Sequence, residues 1–200
     1  MKNTFKEAIK HRRSFYEIDN NINISDDVLK DIIENALIYL PSAFNSQTTR
    51  IVLLLGENHK EFWEITKSVL KSMIAEENFG KTEQKINNSF LSGYGTILFY
   101  EDMEIVQSLQ QKFPTYSDRF PVWAEHTSAI HQFAIWTMLE DEGLGASLQH
   151  YNPIIDEKVS EKWNINPKWK LIAQMPFGNP IRRPADKEQN STEHRFLIFD

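Results

Sequence analysis

The stretch 121–142 limits the fold more tightly than any other part of this chain. Pro121 suits the first turn of a helix. The residues Val122, Ala129, Ile130, Phe133, Ala134, Trp136, Thr137, Met138 and Leu139 nearly encircle its axis. A helix that is apolar all round has no face for water, so the spacing predicts a central, buried helix. Gly143 fits the position just beyond its end, where a left-handed backbone is wanted. The chain is long enough to enclose such a helix. Its 200 residues are 40% hydrophobic and 25% charged, and a chain of this size buries about 70% of its unfolded surface. There is no internal repeat and no long linker, so a single domain spanning 1–200 is predicted.

Apolar runs at 51–55, 96–100 and 169–175 read as strands, and their lack of alternation predicts a sheet covered on both faces by helices. Helices are predicted over 4–16, from a Ser25 cap with Asp26 and Asp27 in the first turn to Pro41, over 58–79, 103–111 and 155–163. The segment 146–149 reads as extended and 195–199 as a terminal strand. The class is α+β or α/β with a mixed sheet.

Composition excludes several functions. Lys and Arg total 22 against 28 Asp and Glu, a formal charge of -6, which argues against a general nucleic-acid binder. No apolar run approaches the ~18 residues of a membrane span, and residues 1–15 are polar and basic without a secretory h-region. With no cysteine there is no disulfide framework, thiol nucleophile or zinc finger. A cytoplasmic protein is expected. His126 and His131 are five apart and so point to different faces of their helix, not a metal pair. The acids Glu140, Asp141 and Glu142 read as a solvated face.

Four segments carry chemistry. Arg12-Arg13-Ser14 offers two guanidinium forks and a hydroxyl to an anion, although a solvated basic helix end accounts for the tripeptide as well. The loop 41–47 is dense in amides and hydroxyls and suits either a polar heterocycle or ordinary turn chemistry. The stretch 143–153 lacks the third glycine of a dinucleotide fingerprint and has helix before strand, so that reading is rejected. A helix stop remains, followed by residues able to line a flat ring. The run 182–187 is a phosphate contact or a solvated charge run.

Taken in order, these segments resemble the nitroreductase family of flavoproteins, in particular the short branch with the copper-induced nitroreductase and the fungal fatty-acid-response nitroreductases. The residues that carry the resemblance are His11-Arg12-Arg13-Ser14, the loop 41–47, Gly95-Thr96-Ile97-Leu98-Phe99 with Glu101-Asp102, Phe120-Pro121-Val122-Trp123, the stretch 143–152, Trp169-Lys170-Leu171 and Phe177-Gly178. The resemblance implies an α+β, nitroreductase-like fold: a central mixed β-sheet flanked by helices, in an intertwined homodimer with FMN at the interface. It implies that Arg12, Arg13 and Ser14 grip the FMN phosphate, ribityl chain and pyrimidine edge. Ser42, Ala43, Asn45 and Gln47 would form the loop offered to the partner's flavin. Leu148, Gln149, His150 and Tyr151 would run past the isoalloxazine near N5. Lys187 would be the C-terminal phosphate-binding residue, with Arg182 as second choice.

The implied activity passes two electrons from NADH or NADPH to a small aromatic acceptor, nitroaromatic or quinone, in ping-pong order. The chemistry is carried by flavin N5, so no catalytic side chain and no metal are expected. Phe44, Phe113, Tyr116 and Trp123 are candidates to stack over the exposed flavin face, or to pack in the core. The same residues also allow a flavin-binding sensor, chaperone or sequestering protein with little turnover.

Overall fold

The computed structural model describes residues 4–199; positions 1–3 and 200, the ends of the predicted domain, lie outside the described residues. The first helix, α1 (Phe5–His11), opens on a capping box in which the Thr4 hydroxyl accepts from the Glu7 amide and the Glu7 carboxylate accepts from the Thr4 amide. It stops well short of the predicted 4–16, because Ser14 and Phe15 leave to pair with Ala146. After β1 (Ile18–Asp19), α2 (Asp26–Tyr39) starts at Ser25 as expected, although that side chain makes no cap bond. It ends at Leu40, which is extended, as a residue before proline must be.

Next come β2 (Thr49–Leu55), α3 (Gly56–Met73) and α4 (Glu76–Ile86). The last two correct the single helix expected over 58–79. Ile74 turns extended, with φ -105° and ψ 137°, and α4 folds back to bury Phe79 and Ile86. No glycine or proline marks the break; burial decides it. A π turn (Asn87–Leu91) leads to β3 (Gly95–Asp102), α5 (Met103–Lys112), α6 (Phe120–Asp141), β4 (Gly145–Ala146), α7 (Asp156–Trp163) and β5 (Trp169–Pro180).

The strands order as β1-β5-β3-β2, with β4 also on β5. Every ladder is antiparallel, and one parallel bridge, Ser14 to Ala146, makes the sheet mixed. All eight residues of β3 are buried. Its side chains alternate between two cores. Ile97 and Phe99 join Ala173, Met175 and Phe177 of β5 under α2 and α6. Leu98 and Tyr100 join Leu171, Phe62, Trp63 and Ile155 on the other face. Each such apolar side chain contributes about 1.5–3 kcal/mol on burial. The predicted strand over 195–199 is not formed. A strand needs a ladder partner, and among the described residues this run has none; the side chains of 196–199 are exposed.

The helix α6 is central but not buried all round. Val122, Ile130 and Phe133 are 43%, 40% and 41% exposed, whereas polar Thr127, Ser128, His131 and Gln132 are buried. The polar groups satisfy themselves along the helix. Thr127 Oγ1 donates to the Trp123 carbonyl at 2.9 Å, His131 Nδ1 to the Thr127 carbonyl at 2.9 Å, and Gln132 Nε2 to Ser128 Oγ at 3.0 Å. Gly143, at φ 80°, closes the helix. Its amide donates to the Glu140 carbonyl at 2.9 Å and the Leu144 amide to the Leu139 carbonyl at 2.8 Å, a Schellman motif.

His59 is fully enclosed and hydrogen-bonded at both nitrogens. Nε2 donates to the Leu91 carbonyl at 3.2 Å, and Nδ1 therefore accepts from Thr96 Oγ1 at 2.8 Å; Trp63 Nε1 donates to that same hydroxyl at 3.0 Å. Burial lowers its pKa to about 4. The unfolded chain thus takes up a proton near pH 6.5 that the fold refuses, so this part of the stability is present above about 6.5 and lost as pH falls toward 4. Urea titrations at stepped pH should show a loss of up to about 3 kcal/mol over that window, absent from the acid limb of His59→Gln.

Candidate functional site

The end of α1 builds a cationic cup. Arg12 is the C-cap residue, at φ -54° and ψ 122°, so the chain leaves the helix extended and runs beside β4. The Phe15 amide donates to the Ala146 carbonyl at 2.9 Å. Gly145 is required there, since a Cβ would lie 2.9 Å from Phe15 Cγ. The Arg12 guanidinium sits over the Trp136 ring, 4.2 Å from its centroid. Its Nε is buried with no hydrogen-bond partner. Desolvation draws its pKa below the ordinary value, and Glu140 opposes this. Arg13 Nη2 donates to the Ala185 carbonyl at 2.6 Å, and Nη1 lies 3.7 Å from Asp186 Oδ1. These contacts lay the C-terminal segment across the cup. Arg12, Arg13, Ser14, Lys10 and Lys187 then line one cavity of about 420 Å³. Four cations and a hydroxyl around one hollow suit a phosphate dianion. Arg182 lies elsewhere, paired with Glu17 Oε1 at 2.9 Å.

The segment after β4 adjoins this cup through the Ser14–Ala146 bridge. Gln149 exchanges backbone hydrogen bonds with Gln174 at 2.7 and 2.9 Å, and its Nε2 donates to Ser147 Oγ at 3.1 Å. The Tyr151 amide donates to Gln174 Oε1 at 2.7 Å, and its ring meets Trp63 edge-on at 5.9 Å. Leu148 packs against the first core. Gln149 and Tyr151 thus turn their side chains inward, and His150 is exposed.

The loop 42–47 stands apart from the cup. Phe44, Asn45 and Gln47 have φ of 58°, 51° and 49°, a run of left-handed non-glycine residues that surrounding contacts must hold. The Gln47 amide donates to Ser42 Oγ at 3.0 Å. Phe44 is held by aromatic rings, stacked on Trp123 at 5.7 Å and tilted against Phe113 at 5.2 Å and Tyr116 at 6.0 Å. Arg50 ties the loop to the sheet: Nη1 donates to the carbonyls of Gln47 and Thr49 at 2.9 and 3.0 Å, and Nη2 to Asp102 Oδ2 at 3.0 Å. Asp102 Oδ1 also caps α5. Ser42, Gln47, Thr49, Arg50, His131 and Trp169 line a second cavity of about 300 Å³. Beside it Glu101, 1% exposed, accepts from Thr49 Oγ1 at 2.7 Å.

The sequence-predicted residues therefore fall into two groups. Arg12, Arg13, Ser14 and Lys187 share one cavity, with Ala146 bridged to Ser14 alongside, while Leu148, Gln149, His150 and Tyr151 do not line it. Ser42 and Gln47 line another cavity, and Ala43 and Asn45 lie in the same turn. Sequence reasoning missed Arg50 behind the loop and the place of Trp136 beneath Arg12, and it took Glu101 and Asp102 only as carriers of the resemblance, with no role behind the loop. It also misread Glu140 as solvated: desolvation raises its pKa, and Arg183, His11 and Arg12 oppose this. Among the described residues, no group of His, Asp and Glu could hold a metal, and no helix is long and apolar enough to cross a membrane.

Helices on both faces of this antiparallel sheet, with an anion cup where α1 meets β4, define a nitroreductase-like protein. The Nitroreductase family model matches residues 9–179. The yeast (Saccharomyces cerevisiae) protein HBN1 is 31% identical over 188 residues, covering 92% of each chain. The nitroreductase FRM2 of the same yeast is 31% identical over 185 residues, covering 92% of this chain and 91% of FRM2. The nitroreductase CinD from Lactococcus lactis, solved with nicotinic acid and with 4-nitrophenol, superposes with TM-scores of 0.91 and 0.90. It is 37% identical, over 98% of this chain and all of CinD. The chain belongs to the nitroreductase family, and it is an oxidoreductase.

Arg50→Ala should free the loop from both carbonyls and leave Asp102 without its cation. A loss of about 1–3 kcal/mol follows from unsatisfied buried groups, and calorimetric melting of the variant beside wild type checks it.

Proposed function

We propose that this single-domain chain is an FMN-dependent oxidoreductase that takes electrons from NADH or NADPH and delivers two to nitroaromatic or quinone-type acceptors by a ping-pong cycle, as a cytoplasmic homodimer. The cup formed by Arg12, Arg13, Ser14 and Lys187 carries the reading. The buried Arg12 Nε without a partner is the kind of donor that a bound polar group satisfies. When bound, FMN supplies two-electron transfer at N5. The side chains supply everything else. Arg12, Arg13 and Lys187 neutralise the phosphate, and Ser14 adds a hydroxyl. Leu148, Gln149, His150 and Tyr151 present their backbone along the ring. No side chain is asked to act as acid or base.

Three observations support the dimer. One chain exposes 12277 Å², against roughly 9,800 Å² for a monomer of this mass. The α6 residues Val122, Ile130 and Phe133 are uncovered. The outer edge of β2 carries no strand among the described residues, while the apolar run 196–199 has no ladder partner. A second copy answers all three. It also unites the two groups of site residues, because Ser42, Ala43, Asn45 and Gln47 then meet the partner's flavin. Phe44, Tyr116 and Trp123 would form an aromatic wall for a flat acceptor. CinD has been solved with two such aromatic molecules, nicotinic acid and 4-nitrophenol.

The test is spectroscopic. Purified protein should be yellow, and anaerobic NADH or NADPH should bleach it, with colour restored by a nitroaromatic or quinone. Arg12→Ala with Arg13→Ala should lose FMN, and Lys187→Ala should weaken it about tenfold or more, the loss of one charge-assisted contact. Arg182→Ala should leave affinity unchanged. Equal FMN retention in the double variant would remove the cup from the reading.

A further inference from the structure

The loop 42–47 is strained, and something on the sheet must hold it. Thr48, the residue before β2, and Thr49, its first residue, are both nearly fully buried at 1% and 4% exposure. Opposite Thr49 in the β2–β3 register stands Glu101. One carboxyl oxygen, Oε1, accepts from Thr49 Oγ1 at 2.7 Å. The other, Oε2, is buried with no hydrogen-bond partner, and so is Thr48 Oγ1. Two orphaned polar atoms so close to a strained loop call for an explanation.

We propose that Glu101 is a positioning residue for the 42–47 loop: its neutral carboxyl holds Thr48 and Thr49 in place, and its ionised form competes with the loop for Arg50. The proposal rests on the reading of that loop as the partner's flavin contact. A neutral carboxyl needs one acceptor for its proton, and the Thr48 hydroxyl is the adjacent unfilled group. An ionised one needs further donors and a countercharge.

Every group around Glu101 bears on that choice. At the start of β2, Thr49 and the preceding Thr48 offer hydroxyls, and Arg50 is the nearby cation, already committed to the Gln47 and Thr49 carbonyls and to Asp102. On β3, the neighbouring Asp102 carboxylate repels a second charge. From α6, His131 Nδ1 lies 3.4 Å from Thr49 Oγ1, and burial holds its pKa below the usual value, so it is no cation at neutral pH. On β5, Lys170 is in register with Glu101, but its Nζ donates to Glu125 of α6 at 3.0 Å. Among the described residues, no uncommitted cation faces the carboxyl. Desolvation accordingly raises the Glu101 pKa to about 7, with the Thr49 hydroxyl and Arg50 opposing. The fold retains a proton that the unfolded chain gives up near 4.5, so the neutral, loop-holding form is lost as pH rises through about 7.

Two measurements on the full-length protein test this at about pH 6 and about pH 8: FMN affinity from quenching of flavin fluorescence, and amide exchange across 43–48. Wild type and Glu101→Gln share the phosphate titration of FMN, so the comparison between them isolates the carboxyl. Relative to Glu101→Gln, wild type should lose about tenfold in affinity across the interval, as for a group coupled by one pKa unit, and its loop amides should lose protection together with it. Thr49→Ser should keep the wild-type profile and Thr49→Val should abolish it, which decides the matter even if Glu101→Gln folds poorly. Parallel profiles in wild type, Glu101→Gln and Thr49→Val would overturn the proposal. If wild type binds no FMN at either pH, the flavin reading fails. Amide exchange then decides alone: pH-dependent protection lost in Glu101→Gln or Thr49→Val upholds the latch, and unchanged protection overturns it.

Discussion

β3 has no side exposed to water, and the remaining architecture follows from that. A strand buried on both faces must send alternate side chains into two separate cores, so the sheet needs helices on each side. One layer is α2 with α6, the other α3, α7 and the π turn. The strand can meet polar chemistry only at its ends. At one end Gly95 allows the close approach of Leu55 and Phe177, whose atoms would lie 2.6 and 2.7 Å from a Cβ. At the other, Glu101 and Asp102 lie where β2 emerges from the 42–47 loop. The loop is thus not an independent surface feature; Arg50 ties it to Asp102, and Thr49 behind it donates to Glu101, both on the most buried strand.

The same enclosure makes the exposed parts informative. In α6, Ile135 and Leu139 enter the core as expected, but Thr127, Ser128, His131 and Gln132 also point inward while Val122, Ile130 and Phe133 point out. That inversion is affordable inside because the helix satisfies its own polar side chains through bonds to residues four positions earlier. Outside, it leaves an apolar strip beside an open sheet edge, a combination that isolated monomers avoid.

Much of this was legible from residues alone, and the failures have physical causes. The runs at 51–55, 96–100 and 169–175 read correctly because double coverage removes alternation. Gly143 read correctly because a left-handed residue after a helix admits few alternatives. The turn at Ile74 was invisible, since no local signal separates a helix that ends there from one that continues, and the burial of Phe79 and Ile86 decides it. The run 195–199 has strand composition, but a strand is a property of a pair. The cup was readable in outline, because Arg12-Arg13-Ser14 is contiguous. Glu101 was not, because its significance depends on a ladder register with Thr49 across 52 positions, and Trp136 matters only because a guanidinium comes to rest on it.

The tether of the C-terminal segment over the cup has a consequence of its own. Arg13 grips a main-chain oxygen, that of Ala185, while its charged contact, Asp186, is fully open to solvent and contributes little. The grip therefore does not depend on which side chain occupies position 185 and is insensitive to ionic strength. What it does depend on is spacing. Replacements along this stretch leave Lys187 where it is, whereas inserting or deleting a single residue between 181 and 187 would carry it off the hollow.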